Sequence, residues 1–259
     1  MLVSVIMSAY NCEKTVGNAI LSIIDQTYKD IEIIIINDAS TDNTLNEILK
    51  VTKNLNNIKV HSNKKNLGLA KSLNYAVNLS HGELLARMDS DDISYKNRIE
   101  TQVKKMKLNS EIDVLGANAD FFFKGKLLYK TKMATSSKLI SNQILKKNPF
   151  IHPTVIMRKK FFLKNGGYNP AIRYCQDYDL WIRGIKESNF SNCSQSLLKY
   201  EFQYQKNYLR FIYSFYVRVI HSFRRKSIIG FLWAFITLGI HISRSLNFNR
   251  GNTQSHKND

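Results

Sequence analysis

Four consecutive isoleucines, Ile33-Ile34-Ile35-Ile36, place the first constraint on the fold. Successive side chains of a β-strand point to opposite faces, so a run that is apolar at every position needs cover on both faces. Leu2 to Met7 and Glu83 to Met88 read as strands of the same buried kind, and Ile58-Lys59-Val60 as a shorter one. Between them, Val16, Ala19, Ile20, Ile23 and Ile24 fall at helical spacing, as do Leu45, Ile48 and Leu49. Asn66-Leu67-Gly68 opens a third helix that runs through Leu79. Strands alternating with helices predict an α/β fold with a doubly wound, mostly parallel sheet.

The fourth strand ends in Arg87-Met88-Asp89-Ser90-Asp91-Asp92. The C-terminal edge of a parallel sheet is where ligands bind in open α/β folds. Carboxylates this close repel one another unless a cation or a basic side chain sits among them. Their hard oxygens suit Mn²⁺ or Mg²⁺, which also take phosphate oxygens from a substrate. The plain alternative is a solvated acidic turn capping the next helix. Tyr10 and Asp38 also follow strands and share that edge. An acid after the second strand can bind ribose in dinucleotide folds, but the turn Ser8-Ala9-Tyr10-Asn11 lacks the glycine that lets backbone approach a pyrophosphate, which argues against NAD-type binding.

Val5-Ile6-Met7-Ser8-Ala9-Tyr10-Asn11, Ser22-Ile23-Ile24-Asp25-Gln26-Thr27 and Asn37-Asp38-Ala39-Ser40-Thr41-Asp42-Asn43-Thr44 resemble glycosyltransferase family 2. Asn66-Leu67-Gly68-Leu69-Ala70 and the acidic cluster continue the resemblance in the same order, which runs to about Arg183. It implies a GT-A-type fold, a divalent cation (Mn²⁺ or Mg²⁺) and inverting transfer from a nucleoside diphosphate sugar such as a UDP-sugar. By the same resemblance Tyr10 and Asp38 would hold the base, Asn66 and Asp89 would complete the nucleotide site with Asp89 at the ribose, and Asp91 would hold the metal. Two positions depart from the family pattern: Ser8 stands where proline is frequent, and Asn37 where a first aspartate is.

Tyr95 to Leu108 reads as a basic helix, Ile112 to Ala117 as a strand, and Phe121 to Tyr129 as a hairpin turning at Gly125. Phe150 to Arg158 resembles a segment that lies near the donor in the family. His152 there is either a satisfied structural imidazole or a contact to the diphosphate, and Arg158 either neutralises phosphate or is an ordinary surface arginine. Arg87 is a third candidate donor contact. In Cys175-Gln176-Asp177-Tyr178-Asp179-Leu180-Trp181-Ile182-Arg183, Gln176-Asp177 stands where the family usually has Glu-Asp, a further departure from its pattern. The family's base matches Asp177, which would take the proton from an acceptor hydroxyl. Asp179 is the alternative base, and its plain reading is a carboxylate favoured by a helix N-terminus. The Gln-x-x-Arg-Trp motif of processive synthases is absent from the chain, which suggests addition of a single sugar.

From about Tyr208 the pattern changes. Arg210, Ser214, Arg218, His221 and Arg225 form one stripe of a helix that is otherwise aromatic and aliphatic, which suggests an anionic membrane surface. Residues 227–243 carry no formal charge; at ~1.5 Å per residue they fall short of the ~30 Å hydrocarbon core. The expected layout is a GT-A-type catalytic domain over 1–205 (nucleotide-binding half 1–118, acceptor-side half 119–205), membrane-associating helices over 206–246 and a disordered tail over 247–259. A helical hairpin packed on the catalytic domain is the alternative for the helices. The net charge of +18 favours anionic partners, but its residues are spread without the interleaved aromatics of a nucleic-acid module, so nucleic acid is not expected. Three widely spaced cysteines argue for a reducing compartment, and no signal peptide is read at the N-terminus. These features together suggest transfer to a glycan or lipid-linked oligosaccharide in surface-polysaccharide synthesis, at the cytoplasmic face of the plasma membrane, peripheral or shallowly inserted. A catalytically inactive nucleotide-sugar-binding or scaffold protein is the alternative.

Overall fold

The computed structural model describes residues 1–202 and 208–239. Strands β1 (Val3–Ala9), β2 (Ile31–Asn37), β3 (Ile58–Ser62) and β4 (Leu84–Asp89) pair in parallel in the order β3-β2-β1-β4. The four isoleucines alternate between two cores. Ile33 and Ile35 join Val3, Val5, Leu84 and Ala86 on one face, under helices α1 (Val16–Ile24), α2 (Thr44–Thr52) and α4 (Arg98–Leu108). Ile34 and Ile36 join Ile6 and Leu85 on the other, under α3 (Leu69–Asn78) and α7 (Gln176–Gly184). A strand covered on both faces is what an uninterrupted apolar run requires.

Beyond β4 the sheet becomes mixed. Strand β8 (Ile156–Arg158) runs antiparallel to β4 and to β6 (Ile112–Phe123), β6 is parallel to β9 (Asn189–Glu201), and the short β5 (Ile93–Ser94) closes the edge. Strand β7 (Lys126–Lys130) folds back on β6 through Lys124-Gly125, both at positive φ. One sheet thus passes through both expected halves, since β6 crosses 118/119. Short helices α5 (Ser137–Gln143) and α6 (Lys159–Lys164) complete the layer that includes α3 and α7.

Helix α8 (Tyr208–Arg224) and a second helix over 228–239 form a hairpin against α7. Its polar stripe does not face outward as the spacing suggests: Arg218 and His221 are buried, and Arg225 donates to the Ile182 carbonyl. Buried polar groups need partners, and α7 and the end of α5 supply them. The helices meet closely at Gly230, where a Cβ would come within 2.3 Å of Ser222 Oγ. Among the described residues, no helix is long and apolar enough to cross a membrane. Residues 240–243 of the uncharged segment and the expected tail lie outside the described residues.

Candidate active site

The C-terminal edge of the parallel strands gathers most of the expected residues. Asp89 closes β4 beside Ser8 of β1, and Asp38 follows β2, its N–H bonded to Ala9 O. Tyr10 is 48% exposed on the same edge. Asp38, by contrast, is buried: one carboxylate oxygen accepts from Asn63 Nδ2 (2.6 Å) and Leu67 N (2.9 Å), the other from Gly68 N (2.8 Å). Asp38 therefore fixes the loop that carries Asn66, and Gly68 leaves it at φ +85, a conformation that favours glycine. Asn66 is exposed and borders an open cleft of about 400 Å³ lined also by Gly68, Lys71, Pro170 and Arg173. Asp38→Ala leaves two backbone N–H groups without their acceptor, and we expect a loss of about 1–3 kcal/mol in stability. Chemical denaturation checks this, and an unchanged midpoint would show that the loop is held by other contacts.

Asp89, Asp91 and Asp92 bring carboxylate oxygens within 4.8 Å of one another. Two guanidiniums lie beneath them. Arg87 is fully buried and pairs with Asp89, while its Nε and one terminal nitrogen have no hydrogen-bond partner among the described residues. Arg98 is also fully buried and donates to the Arg87 carbonyl (2.7 Å) and to Gln102 Oε1 (3.3 Å). Burial pulls the Arg98 guanidinium down to about 9, against the pull of Asp92. These cations do not satisfy the cluster. Burial, then the charge of Asp89, pushes Asp91 up to about 6; burial and its two acidic neighbours push Asp92 well above the usual carboxylate range. One Asp92 oxygen accepts from Glu201 N, and the other is buried without a hydrogen-bond partner. Crowded hard oxygens, one of them orphaned, fit a divalent cation of the Mn²⁺ or Mg²⁺ type.

Asp177 lies in the first turn of α7, where Asn148 Nδ2 donates to it at 2.8 Å. Burial raises its carboxyl, with a further push from Asp89, so helix and acidic cluster are near enough to interact electrostatically. Asp179 sits in the same turn but is tied on both sides. His221 Nε2 lies 2.8 Å from one oxygen, and Arg183 Nε donates to the other at 2.9 Å. Of the two carboxylates, Asp177 is the one without an ionic partner among the described residues.

His152 Nε2 contacts the Tyr168 hydroxyl at 2.8 Å, and burial together with the Arg87 charge lowers the imidazole well below its ordinary range. It is therefore neutral near pH 7, and close enough to Arg87 to feel its charge. Arg158 is elsewhere. It pairs with Leu84 at the opposite end of β4, ~17 Å along the strand from Asp89 at ~3.3 Å per residue. Its guanidinium donates to the carbonyls of Ile112, Met106 and Ser110, so it closes the α4–β6 connection and is not part of this site.

The sequence gives no site role to Arg98, Asn148 or Tyr168, and names Asp92 only as part of the acidic cluster. Arg98 belongs to what reads as a basic helix, yet Arg98, Ile99, Gln102, Val103 and Met106 make the buried stripe of α4. That spacing was the available signal. Asn148 and Tyr168 carry no local pattern, because only the packing of α7 brings them in.

Comparison with known proteins identifies the family and the fold. Residues 4–167 match the model of glycosyl transferase family 2. An uncharacterized glycosyltransferase of Haemophilus influenzae is 35% identical over 209 residues, 77% of this chain, which spans 65% of that relative's length. The Escherichia coli protein WfgD, named a UDP-Glc:alpha-D-GlcNAc-diphosphoundecaprenol beta-1,3-glucosyltransferase, is 31% identical over 201 residues, covering 77% of this chain and 76% of WfgD. The crystal structure of S. aureus TarS 1-349 in complex with UDP-GlcNAc superposes with a TM-score of 0.71 at 21% identity, covering 100% of this chain and 76% of that one, and so shares the fold. With the family model matched over more than half its length, the chain belongs to glycosyl transferase family 2.

Proposed function

We propose that this enzyme moves a single sugar from a nucleoside diphosphate sugar, a UDP-sugar in the first instance, to a hydroxyl of a glycan or lipid-linked oligosaccharide, with inversion at the anomeric carbon. The observation that carries this reading is the pairing of a buried carboxylate of raised proton affinity, Asp177, with the acidic cluster at the sheet edge. Asp177 accepts the proton of the acceptor hydroxyl as its oxygen attacks the anomeric carbon. The new carbon–oxygen bond forms on the face opposite the nucleotide, and the bond to the diphosphate breaks with its electron pair leaving on phosphate oxygen. Asp91 and Asp92 would hold the divalent cation, which offsets the charge gathering on that diphosphate when bound. Asp89 lies toward the ribose, and Tyr10 with the loop fixed by Asp38 faces the base. Arg87 and neutral His152 support the cluster from beneath, and Asn148 orients Asp177.

The activity in WfgD's name and the nucleotide sugar in the TarS complex support a uridine donor and, for the acceptor, a sugar carried on a lipid diphosphate. Such an acceptor would bring the enzyme to the cytoplasmic face of a membrane as a peripheral protein in surface-polysaccharide synthesis. The test is nucleoside diphosphate release from a panel of UDP-, GDP- and dTDP-sugars with Mn²⁺, Mg²⁺ or EDTA. We expect turnover with one UDP-sugar and its loss in EDTA. Failure of every donor to bind or turn over would remove the transfer reading, and full activity in EDTA would remove the cation from it.

A further inference from the structure

Helices packed on a soluble domain turn their apolar face to the core. The hairpin of α8 and 228–239 does bury Val217 and Ala234, but much of its inward face is polar: Arg218 donates to Lys146 O (3.3 Å), Ser214 Oγ (2.8 Å) and Thr237 Oγ1 (3.1 Å), and His221 meets Asp179. The outward face is apolar. Ile212, Tyr216 and Phe223 on α8, and Ile228, Leu232 and Phe235 on the second helix, are all more than half exposed, with Phe223 at 76% and Ile228 at 77%. Phe215 and Phe235 stack edge to face at 5.2 Å, so the two helices present this surface together.

An anionic lipid surface matches that face in chemistry. No acidic residue occurs between 208 and 239, while Arg224 and Lys226 are exposed at the turn between the helices. A second copy of the chain would bring the same cations together with no carboxylate of the hairpin to meet them. At ~1.5 Å per residue the helices are ~26 Å and ~18 Å long, which suits lying in the interface.

The same element also holds the catalytic helix. His221 fixes Asp179, Arg218 lies over the Tyr178 ring at 5.3 Å, and Arg225, just past the end of α8, donates to the Ile182 carbonyl, so residues one turn apart grip the helix that carries Asp177. In the first turn of α8 the Arg210 carbonyl accepts from Cys175 Sγ at 3.7 Å, at the N-terminus of that helix. We propose that the 208–239 hairpin docks on anionic lipid by its apolar face, and that His221, through Asp179, is a positioning residue that holds α7 in register for Asp177. The positioning half rests on Asp177 being the base; the docking half does not.

The experiment uses the full chain with vesicles of phosphatidylcholine, with and without phosphatidylglycerol, and measures UDP binding with Mn²⁺ as a check on the folded site. Wild type should co-sediment with the anionic vesicles, and Phe223→Glu with Leu232→Glu should weaken this by about tenfold or more while UDP binding persists. Equal sedimentation of the double variant, or no sedimentation of wild type, overturns docking. A wild-type dimer that the double variant makes monomeric assigns the face to a second copy and overturns it too. His221→Leu should lower kcat on the order of 10²-fold with KM for the donor and vesicle binding unchanged, because a small displacement of a reacting group costs that much. His221→Gln, which can still donate to Asp179, should recover most of the loss. If His221→Leu does not fold, the comparison is His221→Gln against the shorter His221→Asn, and equal rates overturn positioning. Vesicle binding by a wild type that turns over no nucleotide sugar would overturn the transfer reading and the positioning role, and support the docking face alone.

Discussion

Asp177→Asn lowers kcat on the order of 10³-fold and leaves UDP binding with Mn²⁺ unchanged. The size follows from general-base catalysis, which contributes ~10²–10⁴-fold. The substitution keeps the shape of the side chain and an oxygen to accept from Asn148, so the helix should stay in place. What it removes is the ability to take a proton. Steady-state release of UDP and a separate binding titration distinguish the two effects. A fully active variant would make Asp177 a structural residue and return Asp179 as the candidate. Burial raises the Asp177 carboxyl, so wild-type kcat/KM should fall on the acid side from a pH above the ordinary aspartate range. The sign is that of a base: protonation as pH falls through the raised value removes activity. Loss of that limb in Asp177→Asn would assign it.

Asp91→Ala should abolish the response to Mn²⁺ and cost several kcal/mol of transition-state stabilisation, a rate loss on the order of 10³-fold. The cation's effect on folding is the cleaner readout. With Mn²⁺ at about 100 times its Kd, wild type gains about 2.7 kcal/mol. For a chain of this size that raises Tm by ~5–10 °C. Without Mn²⁺ the variant should melt at or above wild type, because it removes a half-buried carboxylate that repels Asp89. An Mn²⁺-dependent rise of equal size in Asp91→Ala would place the cation elsewhere.

How far the residues speak for themselves differs along the chain. The parallel half was legible because its signals are local: alternation of β and α patterns, and strands apolar on both faces. The acidic edge follows from that topology, since parallel strands deliver Tyr10, Asp38 and Asp89 to one end. Arg158 shows the opposite case. The segment Phe150 to Arg158 gives no strand direction, and once β8 runs antiparallel to β4 its last residue is carried away from the site. Periodicity likewise showed that Arg210, Ser214, Arg218, His221 and Arg225 share a stripe of α8, but a stripe has no outside until a partner is known.

Sequence alone therefore determined the parallel half of the sheet, the polar ends of its strands and the family, because each depends on spacing along the chain. Tertiary structure decided which ionisable groups compensate one another. Arg87 and Arg98 turn under the carboxylates, Asp179 is taken up by His221 and Arg183, and Asp38 is bound by its own loop. A charge costs too much to bury without partners, and those partners come from distant elements, 42 residues along the chain for Asp179 and His221 and 109 for Asp92 and the Glu201 N–H. Electrostatic compensation is set by distance in space, which no local pattern encodes.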